Sequence, residues 1–206
     1  MIDVSTLWAF LALADAALAA VVGVGLAAPR PRDGALAWSA SLGVRALAFL
    51  LFVSRLEPRD GTLAVAAGLL ALSMTLQAAA IAAFDRRALP VWIHTAAIAA
   101  VAVPVALVAS DPASAILFAG LVMGTILAGD ALLAWGVRGS RSFARALLAT
   151  CFAAAGAAFI VRGVAAAISA APLAAFATPN AAQSVTYLVC TMLAVAASFS
   201  VARATG

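Results

Sequence analysis

Apolar runs of roughly membrane length follow one another along this chain, and short polar breaks cut them apart. A helix that crosses a bilayer needs about 20 predominantly apolar residues. Seven stretches meet that requirement: Val4–Ala27, Ala35–Ser54, Thr62–Ala83, Pro90–Ala109, Ser114–Trp135, Phe143–Ala170 and Gln183–Ala202. The breaks read APRPRDG at 28–34, RLEPRDG at 55–61, FDRRALP at 84–90, SDPA at 110–113 and GVRGSRS at 136–142. Each contains Pro, Gly or Asp, residues that end helices or turn chains. The sixth and seventh stretches are joined by the Pro-containing segment APLAAFATPNAA. Connections this short make sequential helices antiparallel neighbours. The period-2 alternation of a membrane strand is missing, which excludes a β-barrel. The pattern predicts an all-α bundle of seven transmembrane helices, filling residues 1–206 as one domain.

The polar breaks also set an orientation. One side of the membrane would hold Arg30, Arg32, Arg86, Arg87, Arg138, Arg141, Arg145 and Arg203, and the other only Arg55 and Arg59. Cytoplasmic loops carry the excess of basic residues. The N-terminus is therefore expected outside and the C-terminus in the cytoplasm, as an odd number of helices requires. Trp38, Trp92 and Trp135 fall near the inner ends of their helices and Trp8 near an outer end, the placement of an interfacial aromatic belt. The first stretch lacks a basic leading region and is too long for the core of a signal peptide, so it is read as a retained helix.

Composition agrees. Of the 206 residues 67% are hydrophobic and 10% charged, with mean hydropathy +1.16. A soluble domain is about half apolar and a quarter charged. The net charge of +4 comes from twelve arginines and no lysine. Its distribution belongs to membrane anchoring, and nucleic acid is not an expected partner. Cys151 and Cys190 fall mid-span in separate helices and are expected to stay reduced, packing as small hydrophobes.

Against this background the charges inside the apolar stretches carry the chemistry. Asp15 and Arg45 lie at matched depth, about 15 Å into adjacent helices that run in opposite directions. A lone charge there costs roughly 2.5–3.5 kcal/mol on insertion scales, so the two invite an ion pair. That pair either locks two helices together or forms the polar floor of a ligand cavity. Asp130, about two turns from the inner end of the fifth helix, has Arg145 as its expected partner. His94 is the only histidine, one turn into the fourth helix, and Gln77 on the third could reach the same layer. One histidine cannot make a bis-histidine haem site, and no carboxylate–histidine metal spacing appears. The sequence thus names no cofactor and no metal. Arg162 lies toward the outer leaflet but is followed by two more apolar turns, so it is expected to face the interior. Its candidate partners are Asp15 and an acidic or amphipathic ligand entering from outside. Tyr187 on the seventh helix could add a hydroxyl to that outer cavity.

The segment GLVMG places Gly120 and Gly124 on one face of the fifth helix. This close-approach spacing serves internal packing by default, with a homodimer as the other use. Pro104 is expected to kink the fourth helix. A faint internal echo relates LALADAALAA to ILAGDALLAW and VRALAFLLF to ARALLATCF, as a three-plus-one-plus-three duplication would. Without lysine there is no retinal Schiff base, which excludes a rhodopsin-type photoreceptor. Walker-type glycine loops, HExxH and Ser-His-Asp arrangements are absent from the sequence, and no enzymatic activity is expected of this chain.

The stretches ARALLATCFAAAGAAFIVRGVAAA and QSVTYLVCTMLAVAASFSVARA, with the Pro-bearing segment between them, resemble the membrane regions that precede GGDEF diguanylate cyclase domains in bacteria. The resemblance covers the last third of the chain and the general architecture. No GGDEF motif is present, so it implies an input module apart from its effector, with Arg203 marking where a signalling helix would continue. It implies a sensor in the bacterial cytoplasmic membrane that binds a small ligand or reads membrane state and signals through its seventh helix to a cytoplasmic effector. A small proton-coupled transporter working through Asp15 or Asp130, and a scaffold subunit pairing its charges with other chains, remain as alternatives.

Overall fold

A computed structural model of the chain describes residues 4–25, 33–54, 61–108, 110–136 and 143–168. These residues form six helices: α1 (Val4–Gly25), α2 (Asp33–Ser54), α3 (Thr62–Phe84), α4 (Val91–Leu107), α5 (Pro112–Trp135) and α6 (Phe143–Ile168). Among the described residues there is no strand. The expected seventh span, with Cys190 and Tyr187, lies outside the described residues. Five of the helices are long and apolar enough to cross a membrane, and α4, at 17 residues, is shorter. The chain is a multi-pass α-helical membrane protein.

Helix ends follow local chemistry. Asp111 caps α5 by accepting from the backbone N–H of Ala113 and Ser114, and Pro112 occupies the first helical position, where its missing N–H costs nothing. α3 closes differently. Arg87 N–H donates to Ala82 O and Arg86 N–H to Ala83 O, both at 2.9 Å. That is a Schellman arrangement, with Arg86 at φ 55° in the left-handed place that glycine usually takes. Gly136 follows the end of α5 at φ 72°, where a Cβ would meet the Arg145 guanidinium at 2.8 Å. Pro104 stands in the last turn of α4 and removes a donor from its helical ladder.

α1 through α4 pack in sequence, each against the next, and α5 and α6 form a hairpin joined to them through α3 and α4. α3 is the central element, with 72% of its membrane-length window buried, against 22% for α1. The contacts fix antiparallel registers. Trp8 stacks at a tilt on Phe52, Ser39 donates to Ala19 O at 2.9 Å, and Asp15 meets Arg45 between them. We call the end where α1 begins the near end, and the other the far end.

Side-chain distribution is the reverse of a soluble protein's. Phe10, Leu13, Val21, Leu36, Val91 and Leu107 are exposed, while Asp15, Ser41, Ser73, Thr75, Gln77 and Asp130 are buried. Large exposed apolar side chains around buried polar ones match a hydrocarbon surround. One expectation fails here. Trp92 and Trp135 are exposed as belt residues, but Trp8 and Trp38 are buried in the core. Trp38 packs edge-on to Phe152, so α2 uses its tryptophan to seat α6.

The α5–α6 seam is backbone on backbone. A Cβ at Gly120 would lie 2.6 Å from Phe159 O and 3.0 Å from Gly163 Cα. One at Gly156 would lie 3.0 Å from Gly124 O. The close-approach face of α5 is thus occupied within the chain, and the internal use of the glycine pair is the one the fold makes.

Candidate functional site

Among the described residues, three places in the bundle bring predicted polar residues into view first. The first is the expected pair between α1 and α2. The guanidinium of Arg45 donates from Nε to Asp15 Oδ2 at 2.7 Å and from its terminal nitrogen to Oδ1 at 2.6 Å. This two-pronged geometry matches a planar carboxylate. The side chains are 15% and 4% exposed, so water screens the charges little. The carboxylate is fully engaged by Arg45, which removes Asp15 as the partner considered for Arg162.

The second centre joins α3 and α4. His94 Nδ1 lies 2.8 Å from Thr75 Oγ1. The single hydroxyl proton of Thr75 points to Leu72 O at 3.0 Å. With that proton committed, Nδ1 of His94 is the donor to the Thr75 hydroxyl oxygen. Gln77 is buried on the same helix, half a turn past Thr75. Thr75 was not singled out in the sequence, because a threonine inside an apolar helix carries no distinctive signal.

The third is a cleft in the near-end half, where α2, α3, α4, α5 and α6 converge. Phe52, Leu63, Leu70, Val105, Met123 and Phe159 are among its walls, and Arg162 is the one charged residue lining it among the described residues. It is a narrow cleft, partly open to its surroundings, with a cavity volume of about 30 Å³. Arg162 therefore faces the interior as its apolar neighbours predicted. Asp15 and Arg45 do not line this cleft, so the structure separates what the sequence grouped as one cavity. Tyr187 lies outside the described residues.

The expected Asp130–Arg145 pair does not form. Arg145 bonds Asp85, at the end of α3. The cause is register. The glycine contacts set Arg145 opposite Gly136, six positions beyond Asp130, about 9 Å along the helix. Asp85 was passed over because it sits in the FDRRALP break and reads as solvated loop. Asp130 is buried, and its Oδ2 has no hydrogen-bond partner among the described residues. Cys151 is a buried free thiol. Among the described residues no three His, Cys, Asp or Glu side chains gather as a metal site.

Compared with protein-family models, with curated proteins and with solved structures, the chain shows no match in any of the three.

Proposed function

We propose that this chain is a seven-helix sensor domain of the bacterial cytoplasmic membrane, with its N-terminus outside and its C-terminus in the cytoplasm. It binds a small ligand in the near-end cleft beside Arg162. It passes the bound state through its seventh helix to a cytoplasmic effector such as a diguanylate cyclase. The observation that carries this reading is the cleft: an arginine inside a membrane-length helix lining an apolar space at a five-helix junction. Charged groups at such depth are kept where they bind something or pair. The Arg count supports the orientation, since Arg86 and Arg87 follow the end of α3 at the far end, and in that orientation the cleft would belong to the outer leaflet. A ligand shifts a conformational equilibrium only by its differential affinity for two packings. A cleft shared by five helices is a place where two packings differ.

The test is native mass spectrometry of the protein gently extracted into detergent, beside flux assays in liposomes. A reproducible added mass that disappears in Arg162→Ala, with no solute or proton flux, is the expected result. A bare protein mass would sink the reading.

The second reading is a proton-coupled transporter, favoured by Asp130, a buried carboxyl whose Oδ2 lacks a partner among the described residues. Proton or solute flux that dies with Asp130→Asn would install it in place of the sensor.

A further inference from the structure

The far end of the bundle gathers charge of one sign. The chain leaves α3 through Asp85, Arg86 and Arg87, and both of these arginines are exposed. The carboxylate of Asp85 is taken by Arg145 at the start of α6. The Arg145 guanidinium also lies against Gly136, just past α5, where a Cβ would sit 2.8 Å from it. The ends of α3 and α5 and the start of α6 thus converge on Arg145, and Asp85 is engaged inside that junction. Arg86 and Arg87 stand beside it with no ion-pair partner among the described residues.

The backbone at Arg86 is an independent observation. Its φ of 55° lies in the left-handed region, which glycine adopts at a helix end without steric cost. The bonds from Arg86 N–H to Ala83 O and from Arg87 N–H to Ala82 O would close α3 equally well with glycine at position 86. Arginine there brings strain and a guanidinium. Strain held at an exposed position points to a use for the side chain.

Depth in the membrane identifies the use. Trp92 at the start of α4 and Trp135 at the end of α5 are exposed. Exposed tryptophans at the ends of membrane helices mark the boundary between headgroups and hydrocarbon. Only Ala88, Leu89, Pro90 and Val91 separate Arg87 from Trp92, and Val91 is exposed as well. The two arginines are therefore at headgroup height, beside an apolar shelf. A soluble acidic partner would use the arginines and leave the shelf without a role. A phospholipid uses both: its phosphate accepts the forked N–H donors of a guanidinium, and its acyl chains lie along the helices. A zwitterionic headgroup brings an ammonium against the same cations, so an anionic one fits better.

We propose that Arg86 and Arg87 form a headgroup site for an anionic glycerophospholipid at the far-end surface, with its acyl chains against Trp92. The site is separate from the Arg162 cleft and does not depend on the sensor reading.

The experiment uses the full chain carrying Trp135→Phe, in phosphatidylcholine nanodiscs that contain a minor share of lipid with brominated chains. Trp8 and Trp38 are buried, so quenching reports on Trp92. Brominated phosphatidylglycerol should quench more strongly than brominated phosphatidylcholine at equal mole fraction, and the preference should weaken in added salt. Arg86→Gly and Arg87→Gln should each reduce the preference by up to about fivefold, the contribution of one basic residue at an anionic surface. In phosphatidylcholine alone, Arg86→Gly should melt no lower than the native chain, because glycine relieves the left-handed strain. That separates loss of the site from loss of the fold, and if Arg86→Gly does not fold, Arg87→Gln decides. Equal quenching by the two lipids overturns the proposal. So does a preference that survives both substitutions together, which would assign it to the general charge of the surface. Soluble glycerol phosphate that abolishes the preference also overturns it, because the site would then belong to a free phosphate and not to a lipid. An Arg86→Gly chain that melts lower and keeps the preference makes Arg86 structural and overturns it too.

Discussion

Asp15 and Arg45, thirty positions apart in sequence, meet side-on through two hydrogen bonds of 2.7 and 2.6 Å between α1 and α2. The pair sits between the Trp8–Phe52 contact on one side and the Ser39–Ala19 hydrogen bond on the other. Those apolar and polar contacts hold the helices whether or not the charges attract. The pair then forbids slippage, because a one-residue slide would strand both charges in a medium that cannot solvate them.

Breaking one side of the pair is therefore costly. Asp15→Asn should destabilise the protein by about 3–5 kcal/mol, the usual cost of leaving a buried charge uncompensated. Thermal melting in detergent measures it. An unchanged melting temperature would show that the two charges do not depend on each other. The exchange Asp15→Arg with Arg45→Asp should recover part of the loss.

Asp130 should behave in the opposite way. Its Oδ2 is buried without a hydrogen-bond partner among the described residues, so Asp130→Asn replaces a carboxyl that has one oxygen unsatisfied there. The melting temperature should hold or rise. A fall as large as that of Asp15→Asn would reveal a partner for Asp130.

A double-mutant cycle separates Asp85 from Asp130 as the partner of Arg145. Both members of the Arg145–Asp85 pair are 29% exposed, so the coupling should be modest, about 0.2–1 kcal/mol, and should shrink with added salt. The Arg145–Asp130 cycle should give no coupling. The reverse result would mean that α5 and α6 are shifted from the register set by their glycines.

That register has its own test. Gly120→Ala puts a methyl group 2.6 Å from Phe159 O, a contact only backbone movement can relieve. The expected loss is about 1–3 kcal/mol, the cost of overpacking a tight core. Gly43→Ala is the control, since a Cβ there meets nothing within 4 Å. It should be neutral or stabilising by a few tenths of a kcal/mol, up to about 1, through better helix propensity. If both substitutions cost the same, the seam is looser than its geometry.

The cap of α5 gives a pH-dependent effect. The Ser114 hydroxyl, 2.5 Å from Asp111, and the backbone N–H groups of Ser114 and Ala113 hold the Asp111 carboxyl below its ordinary value of 3.8. A carboxylate depressed in the fold adds stability above its unfolded value, and that stability disappears as pH falls through the folded one. Asp111→Ala should lower the melting temperature at neutral pH. The difference from the native chain should narrow once pH drops below 3.8 and close below the depressed value. A difference that stays constant down to strong acid would assign the effect to something other than the charged cap.

Much of this architecture is legible in the sequence because membrane helices have a length set by the bilayer and breaks set by Pro, Gly and Asp. The expected spans and the observed helices agree within two residues at most described ends. The Asp15–Arg45 pair was legible for the same reason: equal depth on antiparallel neighbours needs only counting. Depth also misled. Asp130 and Arg145 appear level when measured from a shared helix end, but the glycine seam between α5 and α6 sets a different slide, and sequence distance does not encode that slide. The internal echo points the same way. It aligns Asp15 with Asp130 and Arg45 with Arg145, yet Asp15 and Arg45 meet while Asp130 and Arg145 do not. Tryptophan placement failed because depth says nothing about azimuth: Trp38 is near a helix end but faces Phe152.

The backbone seam of α5 and α6 divides the molecule mechanically. Where Gly120 and Gly163 touch there are no side chains to change rotamer and let one helix slide past the other. The hairpin must then move as one stiff strut. Any freedom to shift belongs to its border with α3 and α4, where Leu63, Leu70, Val105 and Met123 line a cleft. The Arg162 cleft opens on that border. An occupant of it would act as a wedge between the strut and the rest of the bundle, and under the proposed sensor reading the angle between the two is the coordinate that would carry a signal.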